Sequence, residues 1–172
     1  MIFFNGEQIF KSGDQIGGRN YLLNSADFIK NWSPNNANNF KITDDTYLGG
    51  KIVMLKNIGN STSNFSCILP PNLASQKVVW SCYAKADKFG DVLHTEPWGS
   101  HGLTNQLLTT SWQRYSFVGQ IDQEQLILFF WGPSTNKGNV YIALPKLELG
   151  SIATDWSPAP EDFLNIGKEN NK

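Results

Sequence analysis

This chain of 172 residues is poor in charge, and no stretch of it is dominated by one sign. Only 17% of its residues are Asp, Glu, Lys or Arg, below the usual quarter, and its formal net charge is −1. Because the sequence has no basic run, it has no cluster of cations that would displace counterions from a phosphate backbone. This disfavours a nucleic-acid partner.

Cysteines and long apolar runs are also scarce. The two cysteines, Cys67 and Cys82, are too few for a disulfide framework, and both lie among apolar residues. We therefore expect two buried free thiols. No apolar run approaches the length of a membrane-spanning helix, and the first residues lack the basic region of a secretory signal. The sequence predicts no membrane partner.

Aromatic and neutral polar residues take the place of the missing charge. The chain has 6 Trp, 5 Tyr and 11 Phe, and 40% of its residues are hydrophobic, as expected of a globular protein. Its length fits one domain with a sizeable core. A surface rich in Asn, Ser, Thr and Gln suits hydrogen bonding to a neutral polar ligand better than ionic attraction to a polyanion.

Short apolar runs bounded by Gly, Pro, Asn or Asp recur along the chain and predict an all-β fold. A 3.6-residue apolar period is only hinted at, over 26–30 and 161–166. The predicted strands are Phe40–Thr43, Lys51–Leu55, Ser63–Ile68, Lys77–Lys85, Trp112–Gly119, Leu126–Trp131 and Val140–Leu149. Many short strands joined by regular turns favour a sandwich or a barrel.

The two ends of the chain are predicted to flank a single domain. Residues 1–17 form a lead-in whose apolar residues fit a short hairpin around the favoured turn pair Asn5-Gly6. We expect this segment to attach the chain to a partner or to a second copy of itself. The domain itself is predicted to span residues 18–166, and 167–172 to form a flexible polar tail.

Four segments carry a pattern that is shared with a known family. They are Gly18–Leu23, Trp80–Ala86, Thr110–Phe117 and the closing Lys146–Asp162, which ends in Asp-Trp-Ser-Pro-Ala-Pro-Glu-Asp. In this order they resemble the galactose-binding-like carbohydrate-binding modules of bacteriophage tail and baseplate proteins, over roughly residues 18–162. The resemblance implies an antiparallel two-sheet β-sandwich of jelly-roll type.

The same resemblance implies a non-catalytic module of a phage virion that adheres to host cell-wall glycan. The implied locations are the virion and, during assembly, the bacterial cytoplasm, and the implied partners are other phage structural proteins. The alternative is a decoration or baseplate subunit whose jelly roll makes mainly protein contacts. Motifs of hydrolases, phosphate-binding loops and zinc proteases are missing from the sequence, so no enzyme is predicted.

No cofactor is predicted, with one open question. Modules of the resembled kind often hold a structural calcium, for which Glu148 and Asp155 are candidate ligands. No calcium-binding loop of the EF-hand type is visible.

Sugar recognition requires an aromatic plate and planar hydrogen-bonding side chains around it. The 26 residues 86–111 separate two predicted strands and form a longer loop than is usual without a function. Within this loop we predict Trp98 as the stacking plate, with His94, Glu96 and His101 as hydrogen-bonding partners. The spacing of the two histidines matches no standard zinc site.

The other tryptophans are interpreted mainly as packing residues. Alternation places Phe129 and Trp131 on one face of their strand and Phe130 on the other. For Trp131 we prefer packing in the core. The alternative is that Trp131 stacks on a sugar at a concave ligand-binding face, which makes it the second candidate for the stacking residue after Trp98. Core positions are also predicted for Trp80, Trp112 and Trp156.

Overall fold

Strands make up most of the regular structure. The computed structural model describes residues 3–4, 7–8, 18–34, 37–57, 63–97, 104–122 and 126–164. The strands are β1 (Phe3–Phe4), β2 (Glu7–Gln8), β3 (Trp32–Pro34), β4 (Phe40–Tyr47), β5 (Gly50–Leu55), β6 (Ser63–Ile68), β7 (Lys77–Ala86), β8 (Val92–Pro97), β9 (Thr104–Leu107), β10 (Gln113–Gln120), β11 (Ile127–Gly132) and β12 (Val140–Leu149). Helix in these segments is limited to α1 (Pro160–Leu164) and the 3-10 turns Ala37–Asn39 and Pro71–Leu73. None of the described helices is long and apolar enough to cross a membrane.

Ten strands form two five-stranded antiparallel sheets. Sheet A has the order β10-β7-β12-β5-β4, and sheet B has the order β3-β6-β11-β8-β9. The predicted two-sheet sandwich of jelly-roll type is confirmed. All seven predicted strands are present, and Ser63–Ile68 and Val140–Leu149 have the predicted bounds.

The N-terminal hairpin is also confirmed. Strands β1 and β2 pair antiparallel, Phe3 with Gln8 and Phe4 with Glu7, as the sequence pair Asn5-Gly6 between them predicted.

Alternating residues of both sheets fill the space between them. The largest buried side chains of this core are Trp80, Phe65, Phe130, Leu22, Leu55, Leu73, Leu93, Leu108, Ile121, Leu128 and Ile142. Cys67 and Cys82 are buried and free as predicted, and burial raises the pKa of each thiol to about 12. Such thiols are poor nucleophiles, because the reactive thiolate is disfavoured.

Trp80 connects the two sheets. As predicted it lies in the core, with no exposed surface, and its ring stacks on Phe117 at 5.8 Å between centroids. Its Nε1–H donates to Thr95 Oγ1 across the core at 2.8 Å. Since Thr95 points inward from β8, this bond helps to position the strand from which His94 and Glu96 point outward.

The prediction of a loop over 86–111 is wrong. Residues 92–97 form β8 and residues 104–107 form β9, and they pair with each other antiparallel. In β8 the inward residues Leu93 and Thr95 are buried, which is the period of a half-buried strand. The polar outward residues and Pro97 gave this strand the composition of a loop.

A helical turn near Ala26–Lys30 does not form either. The segment makes turns in which Phe28 and Lys30 both have φ of +59°. Positive φ at these two positions is incompatible with a right-handed helix.

The outer face of sheet A is partly covered by residues of the chain's own terminal segments. Ala26 and Trp156 pack against Ile52, Ala143 and Leu144 on this face. Four half-buried aromatic side chains belong to the same cluster: Tyr47, Tyr83, Trp112 and Tyr141. Trp112 and Trp156 therefore pack outside the main core, and their predicted core positions are wrong. Both lie outside the strands, Trp112 just before β10 and Trp156 between β12 and α1.

Candidate functional site

The outer face of sheet B carries a different set of side chains. The inward residues of β6, β8 and β11 are buried, so the residues between them point outward. The outward set includes Asn64 and Ser66 on β6, His94 and Glu96 on β8, and Phe129 and Trp131 on β11, with Ile68, Val92 and Ile127 at the ends of these strands. Ser33 on β3 and Asn105 on β9 extend it toward the two edges of the sheet. We call this set the sheet B face.

Trp131 lies at the centre of a row that crosses four strands. It pairs with His94 on β8 and with Asn64 on β6, and His94 pairs with Asn105 on β9. The His94 ring meets Trp131 edge-on, with centroids 5.7 Å apart and planes at 78°. Phe129 lies one row further along β11, with its centroid 6.3 Å from that of Trp131. The face thus presents two neighbouring aromatic rings with polar side chains beside them.

Two polar atoms on this row lack a partner. Asn64 Oδ1 and His94 Nδ1 are both shielded from solvent, and neither has a hydrogen-bond partner within the described part of the chain. Asn64 as a whole is only 8% exposed. Such atoms are uncommon in folded proteins, because an unpaired buried polar group is costly. Both atoms lie beside an outward tryptophan, but a hydroxyl group cannot approach an atom that water does not reach.

Electrostatics distinguish the sheet B face from sheet A. The strands of sheet B contain no lysine or arginine, and Glu96 is their one acidic residue. The basic residues on the strands of sheet A are Lys41, Lys51, Lys77, Lys85, Arg114 and Lys146. A ligand that bears negative charge would find no cation on the strands of sheet B. The face therefore suits a neutral ligand.

Partial burial shifts the two titratable side chains of the face toward their neutral forms. Desolvation lowers the pKa of His94 from its usual 6.5, and a hydrogen bond with Asn105 acts in the opposite direction. Desolvation also raises the pKa of Glu96 above its usual 4.5. At neutral pH the His94 imidazole is therefore uncharged.

We expect His94 to titrate below pH 6.5 in the folded protein. As the pH falls, His94 is therefore protonated in the unfolded chain before it is protonated in the folded protein. This residue then favours unfolding from about pH 6.5 downward. An NMR titration of the imidazole signals measures the midpoint, and His94→Gln assigns the signal. Asn105→Ala should lower the midpoint further, because it removes the bond that favours the charged form. A midpoint above 6.5 would contradict the burial of this ring.

Three of the five predicted site residues lie on the sheet B face. They are His94, Glu96 and Trp131, and the structure brings His94 and Trp131 into contact. Trp98 and His101 lie outside the described residues, so their roles stay predictions. Core packing, the preferred interpretation of Trp131, is wrong, since Phe130 beside it points into the core and Trp131 points outward.

Sequence reasoning did not identify Asn64, Ser66, Phe129 or Asn105 as site residues. The alternation of Phe65 and Cys67 with Asn64 and Ser66 in β6 was a usable signal for the outward residues. Their closeness to Trp131 depends on the pairing of β6 with β11.

The candidate calcium ligands are arranged differently from the expectation. Glu148 lies on the outer side of β12 but is buried, and its carboxylate bonds to Lys146, at 3.1 Å, and to the hydroxyl and N–H of Thr154. The Lys146 ammonium also donates to Thr154 Oγ1 and to the Asp155 carbonyl oxygen, both at 2.7 Å. The Asp155 side chain is fully exposed, 3.7 Å from Arg114.

The protein's own cation therefore bonds the Glu148 carboxylate. No three His, Cys, Asp or Glu side chains within the described segments are grouped as a metal site.

Comparison with known proteins identifies the fold. No protein-family model matches the chain, and no curated protein matches it by sequence. Among solved structures, the chain is similar to the family 11 carbohydrate-binding module from Clostridium thermocellum in complex with a β-1,3-1,4-mixed-linked tetrasaccharide. The identity is 11% and the TM-score 0.56, over 81% of this chain and 99% of the module.

Two further structures have the same sandwich. The CBM22-1 xylan-binding domain from Paenibacillus barcinonensis Xyn10C matches with 12% identity and a TM-score of 0.55, over 77% of this chain and 94% of the domain. The enzymatically active domain of bacteriophage CBA120 tailspike protein 4 matches with 13% identity and a TM-score of 0.51, over 76% of this chain and 21% of that one. The chain has the β-sandwich fold of carbohydrate-binding modules.

Proposed function

We propose that this protein is a non-catalytic carbohydrate-binding module and that the sheet B face binds a neutral polysaccharide. The observation that carries the proposal is the row Asn105–His94–Trp131–Asn64, in which an outward tryptophan lies between polar side chains of the neighbouring strands. The fold shared with xylan-binding and glucan-binding modules supports it.

The chemistry of the face suits a sugar. A pyranose ring has an apolar C–H side that packs on an indole or phenyl ring, and hydroxyl groups around its edge that donate and accept hydrogen bonds. Trp131 and Phe129 provide the rings, and Asn64, His94 and Glu96 provide the polar groups around them. The lack of lysine and arginine on these strands disfavours uronate- or phosphate-bearing polymers.

The acidic residues of the face favour binding over hydrolysis. Most glycoside hydrolases use two carboxyl groups, about 5–9.5 Å apart, on either side of the scissile bond. On the strands of sheet B, Glu96 is the one carboxylate. A single carboxylate in this position fits a hydrogen-bonding role.

We place this module on a phage virion, where it would adhere to host cell-wall polysaccharide. The sequence resemblance to tail and baseplate modules and the structural likeness to a tailspike domain support this role. A single open face is expected to bind weakly, and several copies on one particle would raise the avidity.

A structural role in the virion is the second candidate, and the N-terminal hairpin favours it. Strands β1 and β2 pair with each other ahead of the domain, and the segment around them is apolar in sequence. We propose that residues 1–17 attach the module to another phage protein or to a second copy. Attachment through this segment is compatible with sugar binding at the sheet B face.

Trp131→Ala should weaken polysaccharide binding by about 10- to 100-fold, the range seen for loss of an aromatic stacking platform in other polymers. The change in affinity is measured by retardation in native gels that contain mixed-linkage β-1,3-1,4-glucan or xylan. Co-sedimentation with purified bacterial cell walls is the second measurement.

Phe163→Ala is the matched control, because Phe163 is an exposed aromatic residue on α1 and is not part of the sheet B face. It should bind like the unchanged protein. Equal binding by Trp131→Ala would contradict the proposed site, and the absence of any binding would contradict the proposed function.

A further inference from the structure

We propose that the outer face of sheet A carries a surface through which two copies of this chain associate. The surface consists of Tyr47 and Leu48 at the tip of the β4–β5 hairpin, Tyr83 and Lys85 on β7, and Trp112 just before β10. We call it the sheet A patch. It lies on the opposite side of the sandwich from the sheet B face.

The aromatic members of the patch hold one another in place. Tyr47 stacks on Trp112, with ring centroids 4.4 Å apart and planes at 21°, and its centroid lies 5.3 Å from that of Tyr83. The Lys85 ammonium lies over Trp112, 5.5 Å from the ring centroid. All four side chains are half-buried, so each residue keeps some surface that water reaches. A fixed group of partly exposed Tyr and Trp side chains is typical of the centre of a protein interface.

Leu48 is both strained and exposed. The turn Leu48-Gly49 joins the paired residues Tyr47 and Gly50, and its two residues have φ of +49° and +85°. In a two-residue hairpin turn of this kind, Asn, Asp or Gly usually comes first, because the left-handed conformation strains other residues. Leu48 is also 67% exposed. A contact that buries this leucine would offset both the strain and the exposure of apolar surface.

The position of Leu48 beside the aromatic rings makes the patch self-complementary. In a two-fold dimer both copies use the same surface, so an apolar side chain of one copy must face an apolar area of the other. The Leu48 side chain of each copy then covers the rings of Tyr47, Tyr83 and Trp112 in its partner. Because these rings already pack on one another and on the Lys85 ammonium, they suit a protein side chain better than a stacked sugar.

The charges around the patch fit the same arrangement. Within the described segments, the Lys85 ammonium makes no ion pair with a carboxylate. Asp44 and Asp45, which are exposed on β4 just before Tyr47, make none with a basic side chain there either. A surface with unpaired charges of both signs pairs them reciprocally with a second copy, Lys85 with the acids of β4. A partner of one sign would leave one of the two sets facing like charges.

The dimer has a consequence for binding that rests on the proposed function. Association through sheet A leaves both sheet B faces open, on opposite outer sides of the dimer. The two sites point away from each other, so a dimer would link two polysaccharide chains rather than bind one flat surface twice.

Sedimentation equilibrium of the full chain, from about 1 µM to about 1 mM, tests the association without any sugar. We expect a reversible equilibrium between monomer and dimer, with weaker association at high salt. Leu48→Asn should weaken dimerisation by roughly 100-fold or more, because a two-fold interface loses the leucine contact twice. Leu107→Asn is the matched control, since Leu107 is 65% exposed but lies on β9 of sheet B, and it should dimerise like the unchanged protein.

Two further measurements separate an interface contact from a structural role. Asn tolerates the left-handed conformation, so dilute Leu48→Asn monomer should melt at the same temperature as the unchanged monomer or at a higher one. Lys85→Glu should weaken dimerisation, and adding Asp44→Lys and Asp45→Lys to it should restore the association.

The inference is overturned if the chain stays monomeric over the whole concentration range, or if Leu48→Asn melts at a much lower temperature. A dimer that Leu48→Asn leaves intact also overturns it, and would be assigned to residues 1–17. Failure of the combined charge reversal to restore association would overturn the pairing of Lys85 with the acids of β4. Because no polysaccharide is present, these results are independent of the proposed function.

Discussion

Lys146→Met is expected to lower the free energy of unfolding by about 3–5 kcal/mol, the usual cost of removing one partner from a buried ion pair. Lys146 and Glu148 are both almost completely buried, and their charged groups lie 3.1 Å apart. Without the ammonium, the Glu148 carboxylate keeps its two bonds to Thr154 but loses its counter-charge. Chemical denaturation with urea measures the change.

The double variant Lys146→Met with Glu148→Leu is the informative comparison. Removing both charges avoids an uncompensated buried carboxylate, so the double variant should recover most of the lost stability. It should not recover all of it, because the ammonium also bonds Thr154 and Asp155 and thereby ties the segment after β12 to sheet A. A Lys146→Met protein with unchanged stability would show that this pair is solvated.

Trp80→Ala is expected to destabilise the fold by about 3–5 kcal/mol, the range for truncating a large aromatic residue in a core. The indole has no exposed surface, stacks on Phe117 and donates to Thr95 across the sandwich. Thermal or urea unfolding measures the loss. Trp80→Phe should cost less, because it keeps an aromatic ring and removes chiefly the bond to Thr95.

The two tryptophans Trp80 and Trp131 make a matched pair. Trp80→Ala should reduce stability strongly and affect binding only through the position of β8. Trp131→Ala should reduce binding with little change in stability, because its side chain lies on the outer face. If the two substitutions reduced stability equally, Trp131 would have a packing role and the case for the sheet B face would be lost.

The outer faces of the two sheets differ in composition. Sheet A carries the basic residues of the strands, and Ala26 and Trp156 of the terminal segments pack on its outer face. Sheet B carries neutral polar residues and aromatic rings on its outer face. The strands of sheet B, where a neutral ligand is proposed to bind, therefore carry fewer charged residues than the strands of sheet A.

Much of the fold was predictable from the sequence because its signals are local. Alternation and turn residues identified seven strands, Asn5-Gly6 identified the hairpin, and the apolar surroundings of Cys67 and Cys82 identified buried thiols. Strand β8 was missed because its outward residues are polar and it ends in Pro97, which made a strand look like a loop.

What only the tertiary structure decided is which outward residues become neighbours and which faces are covered. A period of two assigns Phe129 and Trp131 to one face but does not say whether that face is inside or outside. Lys146 and Glu148 lie on the outer side of β12, yet Thr154 and Asp155 cover them. Asn64, His94 and Trp131 lie far apart in the chain, and only the register of β6, β11 and β8 brings them side by side, because strand pairing over such distances is set by packing of the whole sandwich.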